Sequence, residues 1–291
     1  MKIDSHQHYW KYQANDFPWI TSSMPILQQD YLPQDCQSAL LATRVQRTIA
    51  VQARTVAEET DFLLQIAARN PEVLGVIGWA DLGADDLAQR LDMWCANPVF
   101  KGLRHILQDE PQPGDWVNEP VHNRSLQLLQ KRGLVYEVLV FHHQLTLVLD
   151  FCAQHDQHWL VLDHAAKPPL RQTADAAEAT SAWAANIKKI ADLPHVVCKL
   201  SGLVTETDWQ IGGGLTAKNT FDIEASFDTA LRAFGPDRLM YGSDWPVCQL
   251  AATYTQVHAI AENWAQSRLN LTEQTAFWSG TAQRCYGLNL P

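Results

Sequence analysis

The chain has 291 residues and 46% hydrophobic composition, enough to bury a large core and too apolar for a disordered chain. Lys and Arg total 22 against 32 Asp and Glu, a formal net charge of −10 with no basic cluster, so nucleic acid and anionic membrane surfaces are poor partners. No apolar run approaches the ~20 residues that span a bilayer. The opening Met1–His6 segment lacks the apolar stretch of a secretory signal. The cysteines at 36, 95, 152, 198, 248 and 285 form no C-x-x-C pair and read as free thiols. The expectation is a soluble cytoplasmic globular protein with the size and make-up of an enzyme.

Short apolar runs rich in Val, Ile, Leu and Tyr alternate with amphipathic stretches along the chain. Buried strands are expected at 2–8, 47–53, 73–82 and 100–107, then at 133–140, 158–165, 195–203 and 239–246. Helices are expected between them at 58–70, 85–97, 121–132, 144–155, 174–191 and 225–234. Eight strands separated by helices give an α/β fold, a (β/α)8 TIM barrel forming one domain over 1–291. A doubly wound open sheet fits the alternation but usually opens on a Gly-rich first turn, which this chain lacks. Three long connections, 10–33, 108–120 and 204–224, all follow strands. In a barrel they lie at the C-terminal mouth, where active sites are built.

Side chains alternate across a strand, so His6 and His8 point the same way. At a strand end they would reach the mouth together, and neutral imidazole is a good zinc ligand. The sixth strand ends in Asp163-His164 and the eighth in Ser243-Asp244-Trp245-Pro246. Three imidazoles and a carboxylate at one point can hold one metal and keep a base beside water. Each also has a structural reading: His164 as a hydrogen-bonded core histidine, Asp244 as the cap of the next turn. In the fourth strand Arg104 or His105 must face inward, and an inward Arg could hold a carbonyl or a product carboxylate. Lys167, His142, Trp10 and Trp209 are further candidates for substrate contact. Glu137, His143, Lys199 and Ser201 stand behind them, and Trp19 and Trp116 are further mouth-loop aromatics.

The segments IDSHQHYW, FKGLRHILQDEP, VLDHAAKPP, VCKLSGLVTETDW, FGPDRLMYGSDWPVC and GTAQRCYGL run from Ile3 to Leu288. Together and in this order they resemble the amidohydrolase superfamily, in particular its second family of lactone hydrolases. KLSGLVTETDW and RHILQDEP look most similar to the sugar-acid lactonases of that family, the L-fuconolactonase and L-rhamnonolactonase type. The resemblance implies a barrel with its site at the strand C-termini. It also implies His6, His8 and His164 as metal ligands or substrate contacts, and Asp244 as the base that activates water and as a metal ligand. The superfamily's bridging lysine usually lies on strand four, whereas Lys101 sits near the start of that strand. One divalent metal ion, zinc by preference, or none is therefore expected, with no organic cofactor. The expected catalytic set is Asp244, His164 and Arg104, with His105, Lys167, His142, Trp10 and Trp209 contacting the substrate. The expected reaction is hydrolysis of a sugar-acid lactone to the free acid. The alternatives are a metal-dependent non-oxidative decarboxylase on the same barrel and a hydrolase of a carboxylated lactone. The expected partner is a small sugar lactone, and a homo-oligomer is compatible with the composition.

Overall fold

The computed structural model describes residues 1–209 and 214–289. Eight parallel strands run in sequential order: β1 (Ile3–Gln7), β2 (Arg47–Val51), β3 (Val73–Gly78), β4 (Phe100–His105), β5 (Val135–Val138), β6 (Leu160–Leu162), β7 (Val196–Leu200) and β8 (Leu239–Tyr241). The circle is completed where the chain leaves β8: the His8 amide donates to the Trp245 carbonyl at 2.7 Å, and the Asp244 amide to the His6 carbonyl at 2.9 Å. The architecture is the expected (β/α)8 barrel.

The helices are α1 (Pro33–Thr43), α2 (Glu59–Arg69), α3 (Leu87–Cys95), α4 (Pro113–Asn118), α5 (Pro120–Lys131), α6 (Leu145–Gln154), α7 (Ala176–Ala191), α8 (Ala217–Phe234), α9 (Tyr254–Arg268), α10 (Leu271–Thr275) and α11 (Thr281–Tyr286). The expected strands are present but shorter, because each apolar run continues past the last ladder bond into the mouth. The long connections hold more structure than expected. The 108–120 segment contains α4, and α8 begins at Ala217, where Thr216 accepts from the Asn219 amide at 3.1 Å. The part of the Gly212–Gly214 triplet at 212–213 lies outside the described residues. Helices α1, α9, α10 and α11 were not expected. The α9 signal was present: Thr253 and Gln256 form a reciprocal cap, and Tyr254, Val257, His258, Ala261, Trp264 and Ala265 line its buried face. No helix among the described residues is long and apolar enough to cross a membrane.

The barrel interior has two floors. The lower one is apolar: Ile49, Val51, Ile77, Val135, Val161 and Val197 pack with α11, whose Cys285 and Tyr286 close the bottom. Strand alternation carries the upper floor onto Arg104, Glu137, Asp163 and Lys199, all buried. This polar floor lies directly beneath the mouth.

Candidate active site

Histidines 6 and 8 lie at the end of β1. Ile3 belongs to the apolar lower floor, yet His6, of opposite parity, reaches the polar one. A register irregularity between Asp4 and Gln7 in the β1–β2 pairing reconciles the two. The His6 and His8 Nε2 atoms stand 3.2 Å apart. Asp244 Oδ1 lies 3.3 Å from His8 Nε2, 3.7 Å from His6 Nε2 and 3.9 Å from His164 Nε2. Four side chains from three strand ends thus converge on one point.

Their supports fix which atoms face that point. His8 Nδ1 lies 2.9 Å from the Val51 carbonyl, which only accepts, so His8 donates there. Neutral His8 then turns a bare lone pair toward Asp244 Oδ1, acceptor against acceptor. Such a pair calls for a proton or a cation between its members. His164 is held through Nδ1 by Ser201 Oγ at 2.8 Å. The donor set is imidazole and carboxylate, the chemistry of a zinc site, with the histidines oriented by bonds behind them. The residues fit a divalent cation. Lys101 takes no part: its Nζ donates to the Gly287 carbonyl, next to the segment that closes the bottom of the barrel.

Beneath this cluster is a buried ionic floor. Lys199 Nζ donates to Glu137 Oε2 at 2.6 Å and lies 3.0 Å from His6 Nδ1. Asp163 Oδ1 is 3.3 Å from the same ammonium and 3.5 Å from His6 Nδ1, in ion-pair range but outside hydrogen-bond geometry. Arg104 Nη1 donates to Asp163 Oδ2 at 3.0 Å and its Nε to Gln52 Oε1 at 2.7 Å, while Nη2 donates to the Gln52 carbonyl. Tyr286 donates its hydroxyl to Glu137 Oε1 at 2.7 Å.

Electrostatics sorts the protons. Burial alone would raise the Asp244 carboxyl, but His164, the His8 contact and Lys167 outweigh it and hold the group below its ordinary 3.8. Burial lowers His164 to about 4, despite Asp244 and Asp163. At neutral pH the site therefore pairs a carboxylate base with a neutral imidazole. Burial would likewise raise Asp163, and Lys199, His6 and Arg104 reverse it.

Five residues without the glycine exemption take left-handed backbone here: His164, Ala165, Ala166 and Lys167 in a row, and Asp244, with φ between 48° and 59°. Each costs about 1–3 kcal/mol elsewhere in proteins and persists where the surroundings over-determine it. The run swings His164 and Lys167 into the mouth. Gly202, at φ 69°, makes room: a Cβ there would lie 2.6 Å from His164 Nδ1. Gly202→Ala should therefore push His164 aside and cost on the order of 1–3 kcal/mol of stability. The checks are a thermal melt and the turnover rate; a variant with wild-type values of both would contradict this packing.

A cavity of about 320 Å³ opens above the cluster, at the small end of the ~300–1,000 Å³ usual for small-molecule sites. His8, Arg104, His164 and Asp244 form its base, and Lys167 and Trp209 are in its wall with Trp19 and Phe141. Three of the expected substrate contacts lie elsewhere. Arg104 takes the inward parity, so His105 faces outward: its ring stacks on Trp116 at 4.9 Å, its Nε2 pairs with Glu110 at 2.6 Å and Nδ1 accepts from Trp79. Trp10 is fully buried, donates to the Gln29 carbonyl and packs edge-on against Trp19 and Tyr31. It backs the wall without facing the cavity. His142 sits in the short turn His142–Gln144 edge-on to His143, and the cavity is lined instead by the preceding Phe141. Asp163, Gln52, Arg171 and Glu206 were not singled out in the sequence. Asp163 had a legible signal, sharing inward parity with Val161 on the strand that delivers His164. Glu206 and Arg171 had none, being placed by turns whose course the sequence does not reveal.

The amidohydrolase family model matches residues 3–288. The chain is 49% identical over 291 residues to an L-fucono-1,5-lactonase of Burkholderia multivorans, covering 100% of this chain and 97% of that protein. It is 33% identical over 253 residues to an L-fucono-1,5-lactonase of Burkholderia ambifaria, covering 87% and 83%. Among solved structures, a zinc-bound amidohydrolase from Burkholderia multivorans superposes with a TM-score of 0.94 at 49% identity, covering 99% of this chain and 100% of that one. With matches that run the length of the barrel and include every strand end that carries the cluster, the chain belongs to the amidohydrolase family.

Proposed function

We propose that this protein hydrolyses a sugar-acid lactone of the L-fucono or L-rhamnono type to the free acid. The observation that carries the reading is the Asp244 carboxylate, set among His6, His8 and His164 at the base of a cavity of about 320 Å³. Similarity to L-fucono-1,5-lactonases over 100% and 87% of the chain supports it, as does similarity to an L-rhamnono-gamma-lactonase of Scheffersomyces stipitis, 23% identical over 66% of this chain and 57% of that protein. The six free cysteines, five of them buried, suit a reducing compartment such as the cytoplasm.

In this reading Asp244 accepts a proton from water as the water oxygen bonds to the lactone carbonyl carbon. Arg104, fixed by Asp163 and Gln52, presents its guanidinium toward the oxyanion that forms. As the ring C–O bond breaks, the protonated Asp244 returns its proton to the departing alkoxide, and the product is the open hydroxy acid. His6, His8 and Asp244, with His164 alongside, would hold a divalent cation, zinc by the donor set and by the zinc in the similar solved structure. Such an ion would supply Lewis-acid polarisation of the lactone carbonyl. Trp19, Phe141 and Trp209 would offer apolar faces to the C–H surfaces of the sugar.

The test is acid release from a panel of L- and D-aldonolactones, followed from pH 5 to 8. Turnover is expected on one stereochemical group. Because Asp244 is held below 3.8 and His164 lies at about 4, both keep their working forms across this range. The rate should be flat there and fall only as pH drops toward 4. An acid limb near 6.5 would contradict the assignment of protons, and silence across the panel would remove the lactonase reading.

A further inference from the structure

Lys167, Glu206 and Asp244 follow β6, β7 and β8, three neighbouring strands, so their charges occupy one sector of the mouth. All three line the same cavity. Lys167 Nζ and Glu206 Oε1 stand 3.9 Å apart, too far for a direct hydrogen bond and close enough to share a hydroxyl between them. Their side chains remain 17% and 19% exposed, so both reach the cavity. The wall beside them is set: Trp209 Nε1 donates to the Thr205 carbonyl at 3.0 Å, and Thr205 Oγ1 to the Gly202 carbonyl at 2.8 Å.

Apart from the divalent cation that the base would hold, the side-chain charges of the cavity balance. Arg104, Lys167 and Arg171 stand against Asp109, Glu206 and Asp244, and Asp163 beneath already engages Arg104. A ligand carboxylate entering this sector of the wall meets Lys167, whose charge Glu206 has compensated, and the Glu206 carboxylate itself. A polyol does better, giving a hydroxyl hydrogen to Glu206 and a hydroxyl oxygen to Lys167.

We propose that Glu206 is the specificity-determining residue of the site: its carboxylate reads a hydroxyl of a neutral polyol lactone and its charge rejects lactones that carry a carboxylate. The proposal rests on the lactonase reading above. It assigns Glu206 no part in bond making or breaking. Lys167 serves as its partner, poised to hold a substrate carboxylate only when Glu206 is neutralised.

The experiment compares wild type with Glu206→Gln, an isosteric change at a cavity wall, after a thermal melt verifies equal folding. The substrates are L-fuconolactone, its single-deoxy analogues, and an aldarolactone bearing a terminal carboxylate. The variant should lose about tenfold in kcat/KM on the parent lactone, as a charge-assisted hydrogen bond becomes a neutral one to the amide oxygen. One deoxy analogue should cost the wild type at least as large a factor and the variant clearly less, since the amide oxygen accepts more weakly than the carboxylate. The preference for aldarolactone over the neutral lactone should rise at least about tenfold, the charge no longer opposing it. Equal losses on every substrate, or an unchanged preference, would overturn the proposal while leaving the lactonase reading standing. A wild type inert on every neutral lactone would overturn both.

Discussion

Replacing Asp244 with Asn is expected to lower kcat by about 10²–10⁴-fold while leaving the fold unchanged, the range for loss of a positioned general base. Asn keeps the shape and one acceptor oxygen but does not take a proton from water near neutral pH. It also suits the backbone: Asp244 has φ 59°, and Asn is among the few residues that adopt this region readily. The amide bond from Asp244 to the His6 carbonyl and the Cys248 amide bond to the Asp244 carbonyl are main-chain contacts that the substitution preserves. Melting temperature should therefore stay near wild type while turnover collapses. If the variant retained more than a tenth of wild-type kcat, another group would have to be the base.

The second large effect concerns stability. Lys199→Met is expected to destabilise the protein by about 3–5 kcal/mol, the cost of removing one partner of a buried ion pair. Lys199, Glu137 and Asp163 have no exposed side-chain surface. The ammonium donates to Glu137 at 2.6 Å, pairs with Asp163 at 3.3 Å and lies 3.0 Å from His6 Nδ1. Methionine fills the volume and offers none of these, leaving Glu137 facing only the Tyr286 hydroxyl and Asp163 only Arg104 and His6. At roughly 2–4 °C per kcal/mol for a chain of this order, the melting midpoint should fall by at least about 6 °C. Glu137→Gln combined with Lys199→Met should recover part of the loss, because one uncompensated charge is removed with its partner. A single variant within about 0.5 kcal/mol of wild type, the scatter of neutral surface changes, would mean that the ionic floor is not a structural element.

The sequence carried the barrel because its information is local. Apolar runs of strand length, separated by helical stripes and repeated eight times, leave few architectures open, and all eight strands lie where those runs are. Helix α1 escaped because it begins at Pro33 behind Leu32, which offers no capping oxygen. Its buried residues, Pro33, Cys36, Leu40 and Thr43, make only a narrow stripe. The first half of α8 was hidden behind a glycine-rich approach.

The site divides along the same line. Period-two alternation and position at a strand end suffice to bring His6, His8, His164 and Asp244 together, and all four converge. Arg104 and His105 were indistinguishable by composition, and only the barrel's inside and outside separated them. Trp10 and Trp19 are alike in a linear reading. The tertiary structure buries one and exposes the other to the cavity, because the 10–33 segment folds back through the Trp10 pairing with Tyr31.

What the sequence determined by itself was the fold class, the end of the barrel that carries chemistry, and the residues whose strand parity aims them there. What only the tertiary structure decided was the ionic floor and the substrate wall. Lys199 and Glu137 come from β7 and β5 and Asp163 from the turn that leaves β6, and their pairing depends on a common interior height set by strand register. Glu206 and Lys167 meet because a left-handed run after β6 and a turn after β7 bend toward one another. Neither register nor backbone hand is written in composition or periodicity, since both arise from the closure of the whole sheet.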